Sequence, residues 1–74
     1  ASALVSGTDG LDDLKIVVGQ SSGFLQPAGW LIVEHGHEQG EVVRELFNDA
    51  GFVLVETRQD YNQMDRITLG RLQD

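Results

Sequence analysis

Trp30-Leu31-Ile32-Val33 is an unbroken apolar run of strand length, and it follows directly on a turn signal at Pro27 and Gly29. A half-exposed strand alternates apolar with polar residues because its side chains point to opposite faces in turn. A run without alternation reads as an interior strand buried on both faces. Proline cannot continue a helix and glycine tolerates positive φ, so the turn separates this strand from whatever precedes it.

What precedes it has a helical period. Leu11, Leu14, Val18, Ser21 and Leu25 recur every three or four residues, with Val17 and Phe24 widening the stripe. Thr8 or Asp9 can cap the start, and Asp12 and Asp13 suit the positive end of the helix dipole. Gly19, Ser21, Ser22 and Gly23 weaken the second half. After the strand comes a polar loop, Glu34 to Glu38. A second helix then opens at Gln39 or Gly40, carries Val42, Val43, Leu46, Phe47 and Ala50, and closes on Gly51 as a C′ glycine. Phe52, Leu54 and Glu56 alternate with Val53, Val55 and Thr57 in a second strand. Arg66 to Leu72 forms a third, with Ile67, Leu69 and Arg71 on one face. The connection from Gln59 to Asp65 is too short for a crossover helix, so the last two strands pair antiparallel. The first two, joined by a helix, run parallel. The order helix, strand, helix, strand, strand is half of a doubly wound α/β sheet. Trp30 and Phe47 are expected in the core.

Composition narrows function. The chain has 74 residues, no cysteine and a formal charge of −7. Disulfides and thiolate metal sites are excluded, and so small a domain has a thin stability margin. Nucleic acid is not an expected partner, because phosphate backbones are bound by clustered Lys and Arg. Neither a transmembrane run nor a signal peptide is present, which makes a cytoplasmic location the default expectation.

An ordered series of short segments then points further. Ala3-Leu4-Val5-Ser6-Gly7-Thr8-Asp9-Gly10-Leu11, Gly29-Trp30-Leu31-Ile32-Val33-Glu34-His35-Gly36, Gln39-Gly40, Ala50-Gly51-Phe52, Glu56-Thr57, Asp60, Asp65-Arg66 and Gly70-Arg71 together resemble the end of the HemK/PrmC methyltransferases. The match covers nearly the whole chain, and the series at these spacings is specific where each piece alone is weak. The resemblance implies a Rossmann-like class I fold that binds S-adenosylmethionine and methylates the glutamine N5 of the Gly-Gly-Gln motif in peptide-chain release factors. It also implies a glycine-rich cofactor loop and an Asn-Pro-Pro-Tyr motif, neither of which occurs here; Pro27 is the one proline and no G-x-G exists. Residues 1–74 are therefore expected to be the C-terminal portion of a catalytic domain, a single incomplete one. It would follow the Asn-Pro-Pro-Tyr segment, with no catalytic or cofactor-binding residue of its own and no activity alone. Asn62 stands in the hairpin connection where the family tends to have glycine, and asparagine tolerates the left-handed region.

Glu34, His35 and Gln39 lie at the carboxyl end of the first strand, where open α/β sheets bind ligands, and the resemblance makes them a substrate-side wall. The competing reading is that Glu34 caps the following helix and His35 packs locally. Both readings stand at this level. His35 and His37 with Glu34 and Glu38 suggest a zinc or nickel site, but no third ligand has matching spacing, so no metal is expected. Asp60, Asp65, Arg66 and Arg71 are expected to pin the terminal hairpin by ion pairs. Tyr61 and Met64 sit at an exposed turn. The alternative to a methyltransferase portion is an autonomous α/β interaction module. Against it, the strand from Trp30 would lack a neighbour on one side, so the chain alone is expected either to self-associate through an open sheet edge or to be conformationally soft.

Overall fold

The computed structural model describes residues 2–5, 11–23, 25–60 and 62–73. Strand β1 (Ser2–Val5) is followed by helix α1 (Leu11–Gln20), a 3-10 turn (Ser21–Gly23), strand β2 (Trp30–Glu34), helix α2 (Gly40–Asp49), and strands β3 (Phe52–Gln59) and β4 (Asp65–Leu72). The four strands form one sheet in the order β1-β2-β4-β3.

The predicted elements are present, and the sheet assembles them in an order that the sequence leaves open. β3 and β4 pair antiparallel as expected. β4 also inserts beside β2, antiparallel to it, with Trp30 opposite Arg71 and Glu34 opposite Ile67. β2 and β3 therefore run parallel, as the connecting helix requires, but do not pair, since β4 lies between them.

The expected bare edge of β2 is absent. β1 pairs parallel with β2 from Ser2↔Trp30 to Val5↔Val33, so β2 has a neighbour on each side. Four residues of Ser-Ala-Leu-Val carry no turn signal or period of their own, which is why β1 is not legible in the sequence. The sheet edges fall instead to β1 and β3. On β3, Arg58 Nε donates to Glu56 Oε1 at 3.2 Å with both side chains exposed, and charged side chains of this kind blunt an edge against pairing with other chains.

Both helices pack on one face. Leu14 and Val18 from α1, Val43 and Phe47 from α2, Leu31 and Val33 from β2, and Phe52 form the core. Phe47 and Phe52 meet with ring centroids 5.1 Å apart, tilted by 52°, a favourable aromatic geometry. Ser21 is buried and its hydroxyl donates to the Val18 carbonyl at 2.6 Å. That bond helps hold the 3-10 turn on which the glycine- and serine-weakened helix ends. α2 closes as expected, Gly51 taking φ 89° and donating to Asn48 O at 3.2 Å.

The opposite face carries Trp30, Ile32, Val53, Ile67 and Leu69, all half-buried. Trp30 is thus not a core residue. Burial of β2 on both faces holds only in part, since Leu31 and Val33 are sealed by the helices while Trp30 and Ile32 lie outside that layer.

Three backbone expectations are corrected. The positive φ of the Pro27 turn falls on Ala28 at 66°, and that of the hairpin on Gln63 at 62° rather than on Asn62. The alternation of β3 breaks at Leu54, where φ is 56° and the residue is 64% exposed. Leu54 and Val55 together oppose Gly70, a β-bulge between the pairs Val53↔Arg71 and Glu56↔Leu69. Val55 is thereby turned onto the core face, where it packs against the buried cluster. Capping of α1 by Thr8 or Asp9 and the packing of Phe24 and Tyr61 lie outside the described residues. Asp12 and Asp13 do occupy the first turn of α1.

Candidate functional site

β2 and α2 form a strand-to-helix unit, and the loop after Glu34 emerges at the carboxyl end of β2, where such sheets place ligands. Successive residues of a strand face opposite ways, and this sorts the candidates. His35 follows Leu31 and Val33 onto the helix-covered face and is 6% exposed. Glu34 follows Trp30 and Ile32 onto the other face, is exposed, and its carboxylate has no partner among the described residues.

The imidazole of His35 is engaged at both nitrogens. Nδ1 lies 2.8 Å from the Gly36 carbonyl oxygen, which can only accept, so Nδ1 carries a proton. Nε2 lies 2.8 Å from Thr68 Oγ1. In the neutral ring Nε2 is then the acceptor and the Thr68 hydroxyl the donor. Thr68 has one proton to give, so its oxygen accepts from the Thr57 hydroxyl, 2.7 Å away. Thr68 is fully buried. The result is a directed chain from Thr57 through Thr68 and His35 to Gly36, built from β3, β4 and the loop.

Gln39 closes the same loop. Its side-chain Oε1 accepts from the Gly36 backbone N–H at 2.8 Å, and its backbone N–H donates to Gly36 O at 3.0 Å. Gly36 has little room for a side chain, since a Cβ there would sit 3.3 Å from Gln39 Oε1. Gln39 is the N-cap residue of α2, with no capping hydrogen bond from its side chain; the amide is spent on the loop instead. Capping by Glu34 is therefore not what the structure adopts, while local packing of His35 is.

The structure does not bring His35 and His37 together as ligands. The His35 nitrogens are committed inward, and His37 is paired with Glu38 at 3.5 Å on the exposed side of the loop. Of the expected hairpin ion pairs, Asp60–Arg66 forms, with Arg66 Nε donating to Asp60 Oδ2 at 3.1 Å. Asp60 Oδ1 accepts from the amides of Asn62 at 2.8 Å and Met64 at 3.1 Å. The Met64 amide above all, with Asn62 and Arg66, holds the Asp60 carboxyl below its usual value. Arg71 has no ion pair among the described residues. Met64 is exposed.

Sequence reasoning missed Thr57 and Thr68. The one available signal is that both threonines stand at inward positions of strands facing one another, where an apolar residue would otherwise be expected.

No family model matches the chain. Among curated proteins it is similar to release factor glutamine methyltransferases of Xylella fastidiosa strain Temecula1, 51% identical over 95% of this chain and 26% of that protein. Those of Yersinia pestis, at 47%, and Pseudomonas aeruginosa, at 50%, match 95% of this chain and 25% of their own length. The chain spans about a quarter of the relatives it matches. Among solved structures it superposes with a TM-score of 0.61 and 21% identity on a release factor-specific protein-(glutamine-N5) methyltransferase from Alicyclobacillus acidocaldarius, covering 97% of this chain and 48% of that one. That likeness shows that the α/β fold of this chain is shared with part of that structure.

Proposed function

Because the chain is homologous, over 95% of its length, to a quarter-length stretch of the release factor glutamine methyltransferases, we propose that it is the C-terminal portion of such an enzyme's catalytic domain. In this reading the parent transfers a methyl group from S-adenosylmethionine to the glutamine N5 of the Gly-Gly-Gln motif in a peptide-chain release factor, in the cytoplasm. The observation that carries it is identity of 43–51% spread along nearly the whole chain. The half-buried apolar face of Trp30, Ile32, Val53, Ile67 and Leu69 supports an incomplete domain, since a doubly wound sheet covers both faces with helices. An autonomous interaction module draws support from the paired β2 and the charged edge of β3, but leaves that face unexplained.

The residues described do not fit S-adenosylmethionine. At the carboxyl end of β2 the Gly36 amide and carbonyl are spent within the loop, and the His35 nitrogens on Gly36 and on Thr68 of β4. Of Glu34, His35 and Gln39, Glu34 is the one that is exposed. A hollow lies elsewhere, between α1 and α2, lined by Lys15, Gly19, Leu46, Asp49 and Ala50. Methyl transfer to an amide nitrogen depends on in-line placement and on hydrogen bonds that localise the lone pair. In this reading those groups belong to other parts of the parent, and this portion contributes scaffold and a wall formed by Glu34 with His35 and Gln39 behind it. Alone it is inactive.

The test is a graft of these 74 residues in place of the matching stretch of the Xylella fastidiosa relative. The expected result is methylation of the release factor glutamine, read by mass spectrometry on the Gly-Gly-Gln peptide. A graft that folds, by near-ultraviolet circular dichroism, but leaves the glutamine unmodified would count against the proposal.

A further inference from the structure

Resting on the proposed wall at the carboxyl end of β2, we infer that His35 is a positioning residue, which sets the direction in which the Glu34 side chain leaves the sheet through a hydrogen-bond chain anchored on Thr68 and Thr57. The geometry is that of a strand pinned at its last rung. Glu34 pairs with Ile67 in the β2–β4 ladder, and the next bond of that ladder, His35 N–H to Arg66 O, is 2.9 Å. The imidazole is then held on the helix side by Thr68 and Gly36, each at 2.8 Å. With His35 locked inward, strand alternation leaves Glu34 one direction, outward on the opposite face.

The chain of hydroxyls adds polarity. Gly36 O accepts from His35 Nδ1 and from the Gln39 amide. The Nδ1–H tautomer is therefore the neutral form that satisfies this loop, and it leaves Nε2 to accept from Thr68. With the opposite tautomer, the Nδ1 lone pair would face the Gly36 carbonyl. A rigid second set of groups that holds the first in place is what positioning requires, and a shift of about 1 Å in a presented group costs up to about a hundredfold in rate. Glu34 is the group this device presents to a substrate-side ligand; His35 itself touches none.

Two measurements test this. In the 74-residue chain, long-range 1H–15N spectra of the imidazole should show the Nδ1–H tautomer for His35, and the Thr68→Val variant should lose that single pattern. A wild-type His35 in the Nε2–H tautomer would overturn the proposal whatever the fate of the methyltransferase reading. In the grafted enzyme, Thr68→Val should lower kcat/KM for the release factor about tenfold with the KM for S-adenosylmethionine unchanged, and Thr68→Ser should restore it. If the effect runs through Glu34, adding Thr68→Val to Glu34→Gln should cost less than twofold more. Full activity in Thr68→Val, or independent losses from the two substitutions, would overturn the positioning role. An inactive wild-type graft would instead defeat the methyltransferase reading and leave the tautomer result to stand or fall alone.

Discussion

His35 Nε2 and Thr68 Oγ1 are 2.8 Å apart, although 33 residues separate them in the chain. The bond joins the loop after β2 to the middle of β4 inside the core, so it ties the site end of the sheet to its interior. Replacing Thr68 by valine keeps the shape and removes the hydroxyl. Both His35 Nε2 and Thr57 then lose a buried partner, and an unsatisfied buried polar group costs about 1–3 kcal/mol. Urea unfolding should show that loss as a lower midpoint at unchanged slope. Serine should recover most of it.

Gly70 is fixed by its neighbour across the core. A Cβ at this position would stand 2.7 Å from Phe47 Cδ2 and 3.3 Å from Phe52 Cβ. The nearer atom belongs to a fully buried ring that cannot swing aside. Gly70→Ala should destabilise by about 1–3 kcal/mol through overpacking. Combining it with Phe47→Leu, which vacates that ring edge, should cost less than the two single changes summed. Additive losses would show that the contact is not the cause.

Leu54 takes φ 56° with its side chain 64% exposed. A branched residue in the left-handed region is strained, and little packing is lost if its side chain goes. Leu54→Gly should therefore raise stability by about 0.5–1 kcal/mol, the relief of strain exceeding glycine's greater freedom in the unfolded chain. Thermal and urea midpoints should both rise. A fall in either would mean that Leu54 is held by contacts rather than tolerated.

The Asp60 carboxyl is held below its ordinary value, first by the Met64 amide. A carboxyl with a depressed folded-state pKa binds its proton more readily when unfolded. Its contribution is therefore present above the unfolded value of about 3.9 and is lost as pH falls through the lower folded value. The terminal hairpin should loosen below about pH 4, seen as faster amide exchange at Asn62 and Met64. In Asp60→Asn that acid-dependent change should be much smaller.

The elements of this fold were legible in the sequence wherever period and punctuation coincide. The apolar run at Trp30, the helical stripe into Phe47 and the C′ glycine at Gly51 all appear as expected. What was not legible depends on tertiary partners. β4 slots between β2 and β3, and β1 closes the side of β2 expected to be open; local patterns do not encode which strand is whose neighbour. The bulge at Leu54 was hidden because every residue from Phe52 to Val55 is apolar, so a slipped alternation looks like an intact one. Trp30 read as core from hydropathy alone, yet lies on the face without helices. At the candidate site, Glu34, His35 and Gln39 were legible by position, as residues at the carboxyl end of a parallel strand. The opposite facing of Glu34 and His35 follows from strand alternation, whereas the threonines that anchor His35 come from remote strands, and their inward position on those strands does not say which residue they meet.

The central claim is that this chain supplies scaffold and one wall, with cofactor binding elsewhere in a methyltransferase. Calorimetric titration of S-adenosylmethionine into the 74-residue chain and into the same residues grafted within the Xylella fastidiosa relative tests it most directly. The account predicts saturable heat for the graft and none for the chain alone. Saturable one-to-one binding by the chain, or its absence from a folded graft, would contradict it.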